Sequence, residues 1–454
     1  MNIIYFHSHD TGRAIEPYGF DVATPTLKSL AEEGAMFLEA HCAAPTCSPS
    51  RACLLTGHTA HEAGMVGLSH RGGKMNTPEH HLANYLKGQG FYTVKAGLSH
   101  IGPGDAEHGY DEFVDGYHGS GEEITARACD FLENFDATKP FFLDAGYIET
   151  HRLGLGFSHD GDSPGDGEGC PDDMDAPVDF LGDHPDVCRD WKDFANSAER
   201  LDGFYAQILN VLEKRGFAED TLVIVTTDHG VPFPEMKCSL TSRGTGVLLI
   251  MRLPKKIKPG IRSTSLVSHL DVFPTICELL GTPPPAWLQG HSLLPILSGN
   301  QDAEINDVVF AEVTFHAAFE PKRSVRSKKW NYIRNFAAPH SPVLPNCDDG
   351  LTKQLWLKTG RFEREVPAEE LYDLEKDPME LVNLAGDPAC ATVKAELRSR
   401  LSQWMKNTND TILSSDPSVL PGTMQVNTWD QLHPASGDMQ SEWDPELWNL
   451  IQPL

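Results

Sequence analysis

Short apolar runs alternate along this chain with stretches in which apolar residues return every third or fourth position, the joint signature of strands and helices in alternation. Asn2-Ile3-Ile4-Tyr5-Phe6 ends abruptly in His7-Ser8-His9-Asp10-Thr11-Gly12 and reads as a buried strand whose carboxyl end delivers polar groups. Thr24-Pro25-Thr26-Leu27-Lys28-Ser29-Leu30-Ala31 opens with a capping residue and a proline, keeps helical spacing and meets Gly34 beyond its end, so a helix follows. Gly90 to Gly97, Pro140 to Ala145 and Thr221 to Thr226 repeat the strand pattern, with helical patterns between them. This alternation predicts an α/β fold, with a mostly parallel central sheet sandwiched by helices.

Later the texture changes. Leu153 to Asp186 is rich in Gly, Asp and Pro and carries little periodicity, which predicts a surface insertion. Pro283-Pro284-Pro285 breaks the chain after a helical stretch from Asp271 to Leu280. Beyond Trp330 come short strand-like pieces such as Trp330 to Arg334, then a helix near Thr392 to Met405. The expected organisation is a large domain over 1–330, a smaller C-terminal α+β subdomain over 331–415 and a wrapping tail over 416–454. That tail holds five prolines along with Trp429, Trp443 and Trp448, anchors suited to a surface of the same chain or to a homo-oligomer contact.

With 454 residues the chain exceeds one ordinary domain. Its 40% hydrophobic and 22% charged content is that of a globular protein, and no apolar run approaches the roughly 20 residues that span a bilayer. The opening residues lack a basic segment followed by an apolar one, so cytoplasm is the expected location. Ten scattered cysteines without Cys-x-x-Cys spacing read as reduced thiols. A formal charge of −28 argues against nucleic acid and acidic membrane surfaces as partners. It also means that an anionic ligand needs a locally positive pocket.

Cys47-Ser48-Pro49-Ser50-Arg51-Ala52-Cys53-Leu54-Leu55-Thr56-Gly57 is the most informative stretch. Ser48 suits a cap, Pro49 the first helical position and Gly57 the far end, so Cys47 should sit just ahead of a helix N-terminus that favours an anion. On the residues alone this is a candidate nucleophile or a thiol of lowered pKa. The pattern Cys-x-Pro-Ser-Arg followed by Leu-Thr-Gly resembles the signature of the type I, formylglycine-dependent sulfatases of the alkaline phosphatase superfamily. The resemblance implies that a formylglycine-generating enzyme oxidises Cys47 to an aldehyde, whose hydrate attacks sulfur with one hydroxyl and expels sulfate when the other is deprotonated.

Further positions take their roles from the same resemblance. Asp10 and Asp228-His229 both stand where strands end, the edge at which open α/β sheets bind ligands. With Cys47 they resemble the family's divalent-metal site, in which an acidic pair follows the first strand; here that pair is His9-Asp10, a departure that leaves Asp10 the firmer ligand and His9 a further candidate. Calcium is the family's usual ion; the oxygen donors also suit Mn²⁺ or Mg²⁺, and the His229 nitrogen is a ligand calcium favours less. Arg51 is implied to hold the diol oxygens, His100 to act as the base, and His151 to contact sulfate and protonate the leaving oxygen. Lys237, nine residues beyond Asp228, would neutralise that oxygen, and His316 would line the substrate pocket. Leu98 occupies a position where relatives carry a lysine, which either lowers activity or shifts that task to Lys95 or another cation.

Segments at Val267 to Thr275, Gly290 to Pro295 and Glu370 to Leu374 extend the likeness to about residue 405, and Gly64 to Leu68 with Gly230 to Pro234 looks most like the N-sulfoglucosamine sulfohydrolase branch. The resemblance implies a catalytic 1–330 domain and hydrolysis of a sulfate monoester or sulfamate on a small sulfated sugar or an aryl or alkyl sulfate. Two rivals share the fold: a phosphonate monoester or phosphodiester hydrolase, and a catalytically silent binding protein.

Overall fold

The computed structural model describes residues 1–102, 108–114, 119–157, 179–337, 341–414, 416–434 and 441–451. Most of the insertion expected between Leu153 and Asp186 lies outside the described residues. The strands in chain order are β1 (Asn2–Ser8), β2 (Ala35–Phe37), β3 (Ala40–His41), β4 (Tyr92–Gly97), β5 (Glu112–Phe113), β6 (Phe141–Gly146), β7 (Thr221–Thr227), β8 (Leu249–Arg252) and β9 (Ile261–Ser263). Eight of them form one sheet in the order β5-β4-β6-β1-β7-β8-β2-β9. All pairings are parallel except those of β8, which runs against both β7 and β2.

Side chains alternate across a strand, so a sheet buried on both faces needs apolar residues at every position. Ile3 and Tyr5 of β1, with Leu222 and Ile224 of β7, point to one core; Ile4 and Phe6, with Val223 and Val225, point to the other. Leu27 and Leu30 of the Pro25–Glu33 helix and Leu201 to Leu212 of the long Pro185–Lys214 helix cover the second face. The first is covered by Ala52, Leu54 and Leu55 of the Cys47–Thr56 helix and by Val272, Phe273 and Ile276 of the Val272–Leu280 helix. The sandwich expected from the sequence is the sandwich observed.

A second sheet follows the short β10 (Val267–Ser268), which pairs with β3. Strands β11 (Val309–Phe315), β12 (Phe319–Arg326), β13 (Trp330–Asn335) and β14 (Glu369–Asp373) form an antiparallel sheet in sequence order. It starts at Val309, so the boundary expected between residues 330 and 331 falls inside it, one residue into its third strand. Leu397, Leu401 and Met405 of the Ala391–Asn407 helix pack on it. Met424, Val426, Trp443 and Trp448 of the tail join the same core, so the tail wraps a surface of its own chain.

Candidate active site

Four adjacent strands, β4, β6, β1 and β7, end level with one another: Gly97 lies beside Gly146, Gly146 beside His7, and His7 beside Thr226. Their carboxyl ends therefore empty onto one place, although their residues are far apart in sequence. His100 follows β4, His151 follows β6, His9 and Asp10 follow β1, and Asp228 and His229 follow β7. The Cys47–Thr56 helix brings the fifth component, and all ten of its residues are buried. Its start differs from expectation. Cys47 is itself the first helical residue after an extended Thr46, and Ser48 does not cap, because its hydroxyl accepts the Ser69 backbone N–H at 3.0 Å. Gly57 ends the helix in the left-handed conformation at φ +73°, as predicted.

One ligand atom from each of His9, Asp10, Cys47, Asp228 and His229 lies within 4.8 Å of every other. His9 Nδ1 stands 3.0 Å from Asp10 Oδ1 and 3.1 Å from Asp228 Oδ2. His229 Nε2 is 3.1 Å from Asp10 Oδ1 and 3.5 Å from Cys47 Sγ. Asp10 reaches this geometry at φ +58°, a conformation short polar residues tolerate, and its N–H donates to Asp228 Oδ1 at 2.8 Å. Two carboxylates, two imidazoles and a sulfur converging on one buried point suit a divalent cation with mixed donors. All five predicted metal ligands are thus brought together.

Charge is balanced from the flanks. Burial alone would raise the Asp10 carboxyl; Lys237, His151, His9 and His229 outweigh it and hold it well below the ordinary carboxylate range. Burial pushes the His9 imidazole down to about 3. Burial, with Asp10 and Asp228, pushes the Cys47 thiol well up, against a smaller opposing effect of Lys237. The lowered pKa that a helix start allows is therefore not what surrounds this thiol.

Arg51 makes contacts that the sequence did not announce. It donates to Asp228 Oδ2 at 2.9 Å and to the Ser8 carbonyl at 2.9 Å, and it contacts His7 Nδ1. The guanidinium thus braces the tips of β1 and β7, and only its buried Nε lacks a partner. His100 contacts His70 through Nε2 at 3.0 Å and keeps Nδ1 buried without a partner. The His151 ring meets the His9 ring edge-on at 4.5 Å, with Nε2 4.0 Å from Asp10 Oδ2.

Lys237 is buried rather than solvated, donating to Asp10 at 3.0 Å and to Asp348 at 2.8 Å. His316 is buried with Nδ1 unpartnered, and Lys237, Asp348 and His229 are among the charges acting on it. Lys95, considered as a substitute for the lysine absent at Leu98, lies elsewhere. Its ammonium donates to Asp144 at 2.9 Å inside the sheet, beside His7. Sequence reasoning missed Asp348, in a loop, and His70, in the single 3-10 turn Ser69–Arg71, neither of which has a fixed spacing to the other motifs.

A parallel sheet with such a donor cluster at its carboxyl edge defines an alkaline-phosphatase-like hydrolase. A solved structure of a protein in complex with its substrate D-glucosamine-2-N,6-O-disulfate superimposes with a TM-score of 0.69 at 20% identity, covering 90% of this chain and 98% of that one. The chain belongs to the sulfatase family, whose model matches residues 2–282, and the model of the N-sulphoglucosamine sulphohydrolase C-terminal region matches residues 239–344. The N-sulphoglucosamine sulphohydrolase of Homo sapiens is 30% identical over 449 residues, 88% of each chain. An ulvan-active sulfatase of Formosa agariphila is 28% identical over 433 residues, covering 92% of this chain and 82% of that one. The protein is accordingly a sulfuric ester hydrolase.

Proposed function

We propose that this sulfatase is formylglycine-dependent and metal-requiring, and that it hydrolyses a sulfate monoester or sulfamate on a small sugar. The observation that carries the reading is the place of Cys47 inside the buried donor set of Asp10, Asp228, His9 and His229. A divalent cation held by these residues would supply Lewis acidity toward a sulfuryl oxygen, and calcium is the expected ion. Formylglycine at Cys47 would supply a hydrated aldehyde, a nucleophile able to release sulfate without a second attack on sulfur.

The remaining residues divide the work. Arg51 keeps Asp228 and Ser8 fixed, so the donor atoms stay aimed. His100 has an open Nδ1 with which to take a proton, and His70 holds the other face of its ring. His151, 28% exposed at its side chain, stands where a departing oxygen or nitrogen can collect a proton. Lys237 supplies positive charge beside it, and His316 faces the organic part of the ligand. The name of the human relative and the sugar bound in the structural neighbour support a sulfated amino sugar.

Peptide mass spectrometry across Cys47, in protein made together with a formylglycine-generating enzyme, should show the thiol replaced by an aldehyde. Fully active protein carrying an intact thiol overturns the reading. Matched sulfate and phosphonate monoesters should show faster turnover of the sulfate, and chelation should abolish turnover until Ca²⁺, Mn²⁺ or Mg²⁺ is restored.

A further inference from the structure

Asp348 is a carboxylate beside the lysine that flanks the donor cluster. Its Oδ2 accepts from Lys237 Nζ at 2.8 Å, and the same ammonium contacts the metal-site residue Asp10 at 3.0 Å. Its Oδ1 accepts no hydrogen bond among the described residues. The Asp348 side chain keeps 14% of its surface open, whereas Asp10 keeps 0% and Lys237 2%. The free oxygen therefore belongs to the more exposed partner of the pair, one lysine away from the metal cluster.

The loop carrying it is held rigidly. Lys353 Nζ, buried in the following helix, grips the carbonyls of Leu344 at 3.0 Å and Cys347 at 2.7 Å and the Asp349 carboxylate at 2.8 Å. Gly350 packs so closely on Arg152 that a Cβ there would sit 2.4 Å from the guanidinium. Arg152 is in turn locked by both oxygens of Asp190 at 2.7 and 3.0 Å. Fixed side chains of this kind read ligand geometry, because little ordering remains to be done on binding.

A fixed carboxylate repels sulfate oxygens, so its open oxygen must meet the uncharged part of the ligand. There it can accept only from O–H or N–H. We infer that Asp348 is a specificity-determining residue that accepts a hydrogen bond from a hydroxyl or amine close to the sulfated atom, selecting polyhydroxylated sulfates over aryl sulfates. His316, whose Nδ1 is buried and unpartnered near the same lysine, offers a second polar group to that part of the sugar. This inference rests on the sugar-sulfate reading above.

The test uses the matured, metal-loaded full chain and compares N-sulfo-D-glucosamine and D-glucosamine 6-O-sulfate with 4-nitrophenyl sulfate. In Asp348→Ala the ratio of kcat/KM for the preferred sugar to that for the aryl sulfate should fall by about 10²-fold, since a site built to bind a hydroxyl loses heavily when the pair is broken. Asp348→Asn keeps an acceptor oxygen and should recover part of the ratio. Equal losses on both substrates in both variants overturn the inference, because they leave Asp348 as a support for Lys237 alone. Wild-type enzyme that turns over the aryl sulfate and neither sugar overturns the sugar assignment first and this inference with it.

Discussion

At the tips of β1 and β7, Asp10, Asp228, His9 and His229 crowd their donor atoms onto one point shared with Cys47. Beside the small sheet, Arg323, Asp410, Glu312 and His61 are buried just as deeply. There every group is spent on an opposite partner. Arg323 donates to both oxygens of Asp410 at 2.6 and 2.8 Å and to the Val313 carbonyl at 2.7 Å, while His61 Nδ1 contacts both oxygens of Glu312 at 2.9 and 3.0 Å. Dispersed pairs of this kind fix one element against another and leave nothing to bind. Converging donors do the reverse: Asp10 Oδ1 faces His9 and His229 together, and the two carboxylates lie close enough to repel. Depth of burial does not separate a site from a brace; the direction in which the donor atoms point does.

The largest expected effect separates the two regions most sharply. Cys47→Ala should lower turnover by about 10⁴-fold or more, as loss of a nucleophile does, while the midpoint of thermal unfolding moves little. Its side chain fills little volume, and no buried charge depends on it. A variant that retains full turnover would return Cys47 to the status of a packing residue. Asp410→Ala should do the opposite. It leaves the Arg323 guanidinium buried without its main partner, at a cost of about 3–5 kcal/mol, with kcat per folded molecule unchanged. Urea unfolding reads the loss; a stability within error of wild type would show that the network braces nothing.

His229→Ala returns to the first region with a smaller effect. Removing one nitrogen donor should weaken cation binding by about 10- to 100-fold while leaving the charges of Asp10 and Lys237 paired. Titration calorimetry with Ca²⁺ and Mn²⁺ measures this directly, and unchanged affinity for both would remove His229 from the ligand set.

The first region was more legible in sequence than the second, for a physical reason. Where an apolar run must end because the strand leaves the core, polar residues appear abruptly, so His9-Asp10 and Asp228-His229 announce strand ends by themselves. The small sheet gives no such signal. Phe319-Glu320-Pro321-Lys322-Arg323-Ser324-Val325-Arg326 holds no apolar run, yet it is an inner strand whose charges are paired inside the protein. The sheet therefore begins at Val309, ahead of the change of texture that the sequence shows at Trp330. Strands β2 and β9, of three residues each, are too short to show a period, and the reversed direction of β8 depends on pairing that composition does not encode. The contact of Arg51 with Asp228 was not legible, since spacing along a helix gives a side chain's position and not which of several acids it meets.

The smallest effect tests the second region through pH. Burial alone would lower the His61 imidazole, but Glu312 outweighs it, so the folded value stands above the ordinary 6.5. A basic group raised by folding contributes its stability in full below its unfolded value, and the contribution is lost as pH rises through the folded value. Stability should therefore decline on the alkaline side of 6.5, with a slope of at most about 1.4 kcal/mol per pH unit for this single proton. His61→Gln removes the titrating group, and its unfolding free energy should be flatter across the same window. Parallel pH profiles for the two proteins would mean that His61 stays neutral beside Glu312. The network would then hold Arg323 as its one permanent cation, facing two carboxylates, and would carry an unbalanced charge of its own.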